Sequence, residues 1–141
     1  MIGGWLAAQV PIVSYLTLSD TPRLRARECA KCGAIYLDRR LACARCEARQ
    51  FRNRNLASTG TVGSFTIVHR SPAKVRLPYV SVLVELDGGG IVKANLVGVA
   101  PTRESIELGM RVQLTTFTAG TDDEGTDAVA FGFEPIGNDP A

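Results

Sequence analysis

Four cysteines fall in two Cys-x-x-Cys pairs, Cys29-Ala-Lys-Cys32 and Cys43-Ala-Arg-Cys46, ten residues apart, and the 141-residue chain has no others. Each pair bends the backbone so that two sulfurs face one point. Two such pairs a hairpin apart supply the four soft thiolates of a closed tetrahedral zinc site. Gly33, directly after Cys32, relieves the first turn. Four thiolates leave no coordination position open, so the expected ion is structural rather than catalytic. Iron and a pair of disulfides are the competing uses of the same residues. Between the pairs, Ala34-Ile35-Tyr36-Leu37 reads as a short strand and Leu24 to Glu28 as its partner, the organisation of a zinc ribbon. So small a unit has too little apolar content to hold without metal, which makes metal binding and local folding one event.

Downstream, period-two patterning with β-branched residues and Gly/Asp boundaries predicts five strands. They are Gly60 to Arg70, Tyr79 to Leu86, Gly90 to Val97, Arg111 to Phe117 and Ala128 to Phe133. Asp87-Gly88-Gly89 joins the second and third as a hairpin, and Gly98 and Gly109 are suited to corners. Pro101 to Leu108 has the acids and length for a short helix between the third and fourth strands. Five strands with that helix point to a small Greek-key barrel of the oligonucleotide/oligosaccharide-binding (OB) type. An SH3-like barrel is the alternative, because local patterning does not fix strand order. The expected organisation is an arm over 1–23, ribbon and linker over 24–57, barrel over 58–136 and tail over 137–141. Trp5 to Ser19 is apolar and interrupted by Pro11, suited either to covering the barrel or to meeting a partner. Gln50 to Ser58 reads as a polar link in which Phe51 and Leu56 pack.

Charge is uneven along the chain. Residues 1–57 hold ten Lys/Arg against four acids, and 58–141 hold six against ten. The basic front is suited to steering an anion: nucleic acid, a phosphate-bearing cofactor or an acidic protein surface. No run reaches the roughly 18 uncharged apolar residues of a membrane span. The front also lacks the positive start and cleavage site of a signal peptide, so a cytoplasmic location is expected.

The residues that carry chemistry elsewhere are sparse. His69 is the only histidine, without a sequence triad beside it. Glu85 and Asp87 are close in sequence but read as solvated edge residues, and Asp122, Asp123, Glu124 and Asp127 as a hairpin tip without calcium-loop spacing. Phosphate-cradle motifs are absent. No residue is assigned a catalytic role, and a binding or assembly module is expected rather than an enzyme by itself. One alternative is a nucleic-acid-binding protein using Arg39, Arg40, Arg45, Arg49, Arg52 and Arg54 on phosphates, with Phe65, Tyr79, Phe117, Phe131 and Phe133 divided between core and stacking. Another is an enzyme using His69 as base.

Arg27-Glu28-Cys29-Ala30-Lys31-Cys32-Gly33, Cys43-Ala44-Arg45-Cys46 and Gly60-Thr61-Val62-Gly63-Ser64-Phe65-Thr66-Ile67-Val68-His69-Arg70 follow one another in a specific order. Pro78-Tyr79-Val80, Leu86 to Gly90, Leu96-Val97-Gly98 and Leu108 to Val112 continue it. In this order and spacing the chain resembles the acyl-CoA-associated zinc-ribbon/OB-fold family, once called domain of unknown function thirty-five, over roughly Leu24 to Ile136. The resemblance implies a rubredoxin-like ribbon followed by a five-stranded OB barrel. It also implies a hetero-oligomer in which a thiolase-fold thiolase or aldolase, of lipid or steroid breakdown, carries out the carbon-carbon chemistry. In that setting this chain would support its partner and help enclose an acyl-CoA. Arg39, Arg40 and Arg45 would then be cofactor-binding residues toward the coenzyme A thioester, and Cys29, Cys32, Cys43 and Cys46 would hold structural Zn2+. The chain departs from the family in having Leu37-Asp38-Arg39-Arg40 where many members carry Pro-Pro-Arg, and in a front reduced to an arm with Trp5 and Pro11.

Overall fold

The computed structural model describes residues 8–72 and 75–136. Trp5 and the expected tail 137–141 lie outside the described residues. The front of the chain forms β1 (Gln9–Pro11), β2 (Leu16–Thr17), β3 (Arg23–Cys29), β4 (Ile35–Tyr36) and β5 (Phe51–Asn55). β3 is the spine of the ribbon, paired antiparallel with β2 near its start, β4 near its end and β5 along its length. β5 corrects the reading of Gln50 to Ser58 as a link. Phe51-Arg52-Asn53-Arg54-Asn55 contains one apolar residue and none that is β-branched, so nothing local marks it as a strand. Its extension comes from the β3 backbone and from Glu28, whose two oxygens take Arg52 Nε at 3.3 Å and Arg54 Nη1 at 3.4 Å.

The expected barrel strands are present as β6 (Thr59–Val68), β7 (Tyr79–Leu86), β8 (Ile91–Leu96), β9 (Arg111–Thr121) and β10 (Asp127–Pro135). Neighbours run β10-β8-β7-β6-β9, and β9 pairs back onto β10, closing an OB barrel and removing the SH3-like alternative. Val80, Val82, Val84 and Leu86 alternate inward along β7. β6 changes phase at a bulge between Val62 and Ser64, so Val62 faces inward before it and Phe65 and Ile67 pack on the core after it. The parallel contact of β8 with β10 sets Gly132 opposite Asn95, and a Cβ there would lie 2.9 Å from the Asn95 carbonyl oxygen. Closure therefore needs glycine. The helix expected over Pro101 to Leu108 is instead a single 3-10 turn at Arg103–Ser105. Ile106 is the one buried residue of that segment, an anchor rather than the apolar stripe that would seat a helix.

Ribbon and barrel share one core. Leu16, Leu24, Ala26 and Leu56 join the cluster built on the barrel valines and Phe133. The β7–β8 turn is held from both sides. Arg54 Nη2 donates to the Gly88 carbonyl at 2.6 Å, and Arg111 grips Asp87 with two hydrogen bonds of 2.8 and 2.7 Å. Asp87 thus pairs with Arg111 and Thr59 rather than with Glu85. The described part of the arm covers the barrel: β1 runs parallel to β10, and Tyr15 meets Phe131 edge-on at 6.0 Å. Val10 and Ile12 nevertheless remain exposed.

Candidate functional site

The ribbon ends in two knuckles built alike. In the first, the Gly33 amide donates to the Cys29 carbonyl at 3.0 Å and the Lys31 amide to Cys29 Sγ at 3.4 Å. In the second, the Glu47 amide donates to the Cys43 carbonyl at 2.8 Å and the Arg45 amide to Cys43 Sγ at 3.3 Å. Each knuckle is closed by the amide of its first cysteine, donating to Ala34 or Ala48 at 2.8 Å. The residue after each pair is left-handed, Gly33 at φ 80° and Glu47 at φ 68°.

These turns bring the four Sγ atoms within 4.8 Å of one another. Cys29–Cys46 and Cys32–Cys43 each stand 3.6 Å apart. That is far beyond a disulfide bond of about 2.05 Å. It matches the edge of about 3.8 Å that zinc–sulfur bonds of about 2.3 Å impose on a tetrahedron. Donor number, softness and spacing therefore fit zinc. The Tyr36 hydroxyl draws the Cys43 thiol down to about 6, against the cost of desolvation and helped by the Cys46 and Arg45 amides. Cys46 is pushed up to about 11: the Ala48 amide lowers it, but desolvation and the sulfurs of Cys29, Cys32 and Cys43 outweigh that amide. Four thiolates side by side call for a cation, and zinc would supply one.

Sequence reasoning missed Tyr36. Its hydroxyl accepts the Ala44 amide at 3.0 Å and lies 3.4 Å from Cys43 Sγ, so the hydroxyl hydrogen is left to point at the sulfur. Its ring carries Arg40, whose guanidinium carbon sits 4.4 Å from the centroid. A tyrosine seven residues before a knuckle cysteine is the only local signal, and it matches an ordinary strand residue equally well.

The three arginines expected to contact a cofactor have different surroundings. Arg40 lies on Tyr36 and donates to the Ala42 carbonyl, and Arg45 is an exposed residue of the second knuckle. Arg39 instead lines a groove with Arg25, Arg27, Tyr15, Leu37 and Asn53. His69 is exposed just past β6, in a shallow depression with Phe65, Arg103 and Leu108, and no hydrogen bond joins it to a carboxylate among the described residues. Of the five aromatics divided between core and stacking, Phe133 is fully buried, Phe131 packs edge-on against it at 6.3 Å, and Phe117 is exposed. Among the described residues, no helix is long and apolar enough to cross a membrane.

Residues 20–52 match the model of the ChsH2 rubredoxin-like zinc ribbon domain, and residues 53–117 that of the ChsH2 C-terminal OB-fold domain. A DUF35 domain-containing scaffold protein of Pyrococcus furiosus is 31% identical over 107 residues, 74% of this chain and 77% of that one. A probable enoyl-CoA hydratase alpha subunit of Thermomonospora curvata is 37% identical over 93 residues. That match takes in 65% of this chain but only 28% of the hydratase subunit's length. Among solved structures, a chain of an Ltp2-ChsH2(DUF35) aldolase superposes with a TM-score of 0.65 at 34% identity, covering 80% of this chain and 84% of that chain. With both halves matched in order and the scaffold relative covered over most of its length, the chain belongs to the ChsH2/DUF35 family of zinc-ribbon and OB-fold proteins.

Proposed function

We propose that this chain is a noncatalytic support subunit of a heteromeric acyl-CoA thiolase or aldolase complex, stabilising a thiolase-fold partner and helping to enclose its acyl-CoA. The observation that carries the reading is the likeness, at 34% identity and over 84% of its length, to a chain of the Ltp2-ChsH2(DUF35) aldolase. The scaffold relative and the hydratase alpha subunit point the same way, toward a piece of a larger assembly.

In this reading Cys29, Cys32, Cys43 and Cys46 hold one zinc ion, which supplies a cross-link between the two knuckles and no chemistry on substrate. The chain's own residues do the rest. Arg54 and the shared core fix the ribbon against the barrel, so that a surface formed by both moves as one piece. Val10 and Ile12, exposed on a short arm pinned to β10, offer apolar area to a partner. The test is coexpression with a thiolase-fold enzyme of acyl-CoA chemistry from the same genome. The two are expected to copurify at fixed ratio, and Cys43→Ser, which opens the metal site, to abolish the association. Failure of the wild-type chains to associate would refute the proposal.

A further inference from the structure

β3 sorts its charges by face. Glu28 lies on the same side as its cross-strand neighbours Arg52 and Arg54, and both of its carboxylate oxygens are taken by them. The other side carries Arg25 and Arg27, and the residues opposite them on β5 are Asn55 and Asn53, which bear no charge. Arg39, in the loop after β4, completes the cluster. With Ser14, Tyr15, Ala26, Leu37 and Asn53 these arginines line a groove of about 340 Å³.

The groove carries an excess of positive charge. Among the described residues, no carboxylate forms an ion pair with Arg25, Arg27 or Arg39; the ion pairs present join Glu28 to Arg52 and Arg54, and Asp87 to Arg111. Asp38 is near enough for its field to reach Tyr15, which leaves three cations against one anion. Arg27 is the constrained member. Its Nη1 donates to Asn53 Oδ1 at 3.0 Å, its guanidinium carbon lies 6.0 Å from the centre of the Phe51 ring, and its Nε is buried without a hydrogen-bond partner. A guanidinium so placed has given up part of its hydration and received incomplete hydrogen bonding in return. An anion set against its outer nitrogens would offset the charge there.

From this arrangement we infer that the groove between β3, the loop after β4 and Tyr15 is a binding site for a phosphate-bearing small molecule, with Arg27 as the constrained contact and Arg25 and Arg39 as the exposed ones. The planar forks suit phosphate oxygens, the Tyr15 ring and Leu37 give an apolar wall for whatever the phosphate is attached to, and the volume admits a small group rather than a protein segment. The inference rests on the groove alone and stands whether or not the chain has an enzyme partner.

The probe is inorganic pyrophosphate, titrated into the full zinc-loaded chain at about 0.15 M ionic strength, where the Debye length is about 8 Å, and followed by amide resonances. Saturable shifts centred on Arg25, Arg27, Arg39 and Asn53 are expected. Arg27→Gln should weaken binding about 10-fold or more, the loss of a charge-assisted pair. Arg39 is exposed and outside the strands, so Arg39→Gln leaves the sheet intact and should weaken binding as well. Arg103→Gln, which removes an equal charge from the barrel, should leave the affinity within about 2-fold, because exposed charges beyond a Debye length are screened. Absence of saturable shifts, or equal weakening by Arg103→Gln, would overturn the site. Copurification with an enzyme partner would be unaffected by that outcome, so the two proposals fail separately.

Discussion

Tyr36 ties β4 to the second knuckle at a single atom: its hydroxyl takes the Ala44 amide and faces Cys43 Sγ. Removing that atom with Tyr36→Phe keeps the ring under Arg40 and deletes the contact to sulfur. Groups of this kind set metal affinity by about 10- to 100-fold. Tyr36→Phe should therefore surrender zinc to a chelator at about 10-fold lower chelator concentration than wild type; unchanged retention would show the hydroxyl to be idle. A second residue-scale device is Asp87. Arg111, then Thr59, hydrogen-bond its carboxylate and hold it well below the ordinary value of 3.8. Folded Asp87 thus releases its proton at lower pH than unfolded Asp87. The stabilisation is complete above the unfolded value and is lost as pH falls toward the folded one. Thermal melts should show Asp87→Asn less stable than wild type at neutral pH, by a margin that shrinks on acidification below that value. A margin independent of pH would assign the effect to shape rather than charge. The cysteines were legible because their chemistry is local and spaced. Tyr36, Arg27 and Asp87 were not, since each acquires its role from partners 7 to 28 residues away.

Elements were legible where burial imposes a period. β7 alternates Val80, Val82, Val84 and Leu86 against the core, and its bounds agree with the sequence reading. β5 failed the same test because both its faces are largely open and its partners are polar. The expected helix at Pro101 to Leu108 failed for the opposite reason: its acids and length fit a helix, but one buried isoleucine gives no face to dock. Closure of the barrel depends on a contact that no local pattern reveals, the parallel approach of β8 to β10 at Gly132. Gly132→Val would drive a branched side chain into the Asn95 carbonyl and the Phe117 ring edge. A cost of about 1–3 kcal/mol is expected from such overpacking, read as a lower denaturation midpoint with loss of hydrogen-exchange protection in β8 and β10. Full stability of Gly132→Val would mean that the two strands are not held in this register.

At the scale of the molecule, the ribbon and barrel are joined by a common core and by Arg54 reaching from β5 to the β7–β8 turn. Ribbon and barrel were each legible from spacing and alternation, but their union was not. Leu16, Leu24 and Leu56 come from segments that read as arm, ribbon and link; the sequence marks Leu56 as packing, and the fold shows that all three pack into the barrel's core. On the proposed reading, a metal with no open coordination position would act through the same union, by holding one half of the ribbon–barrel surface in place. The central claim is that this surface serves another enzyme. The most direct measurement is the turnover of the copurified thiolase-fold partner on its acyl-CoA, with this chain present, absent, and assayed by itself. Support of a partner predicts activity with both chains, a large loss when this chain is left out, and no turnover by this chain alone. A partner fully active without it, or turnover by the isolated chain that is lost in a folded His69→Ala variant, would contradict the account.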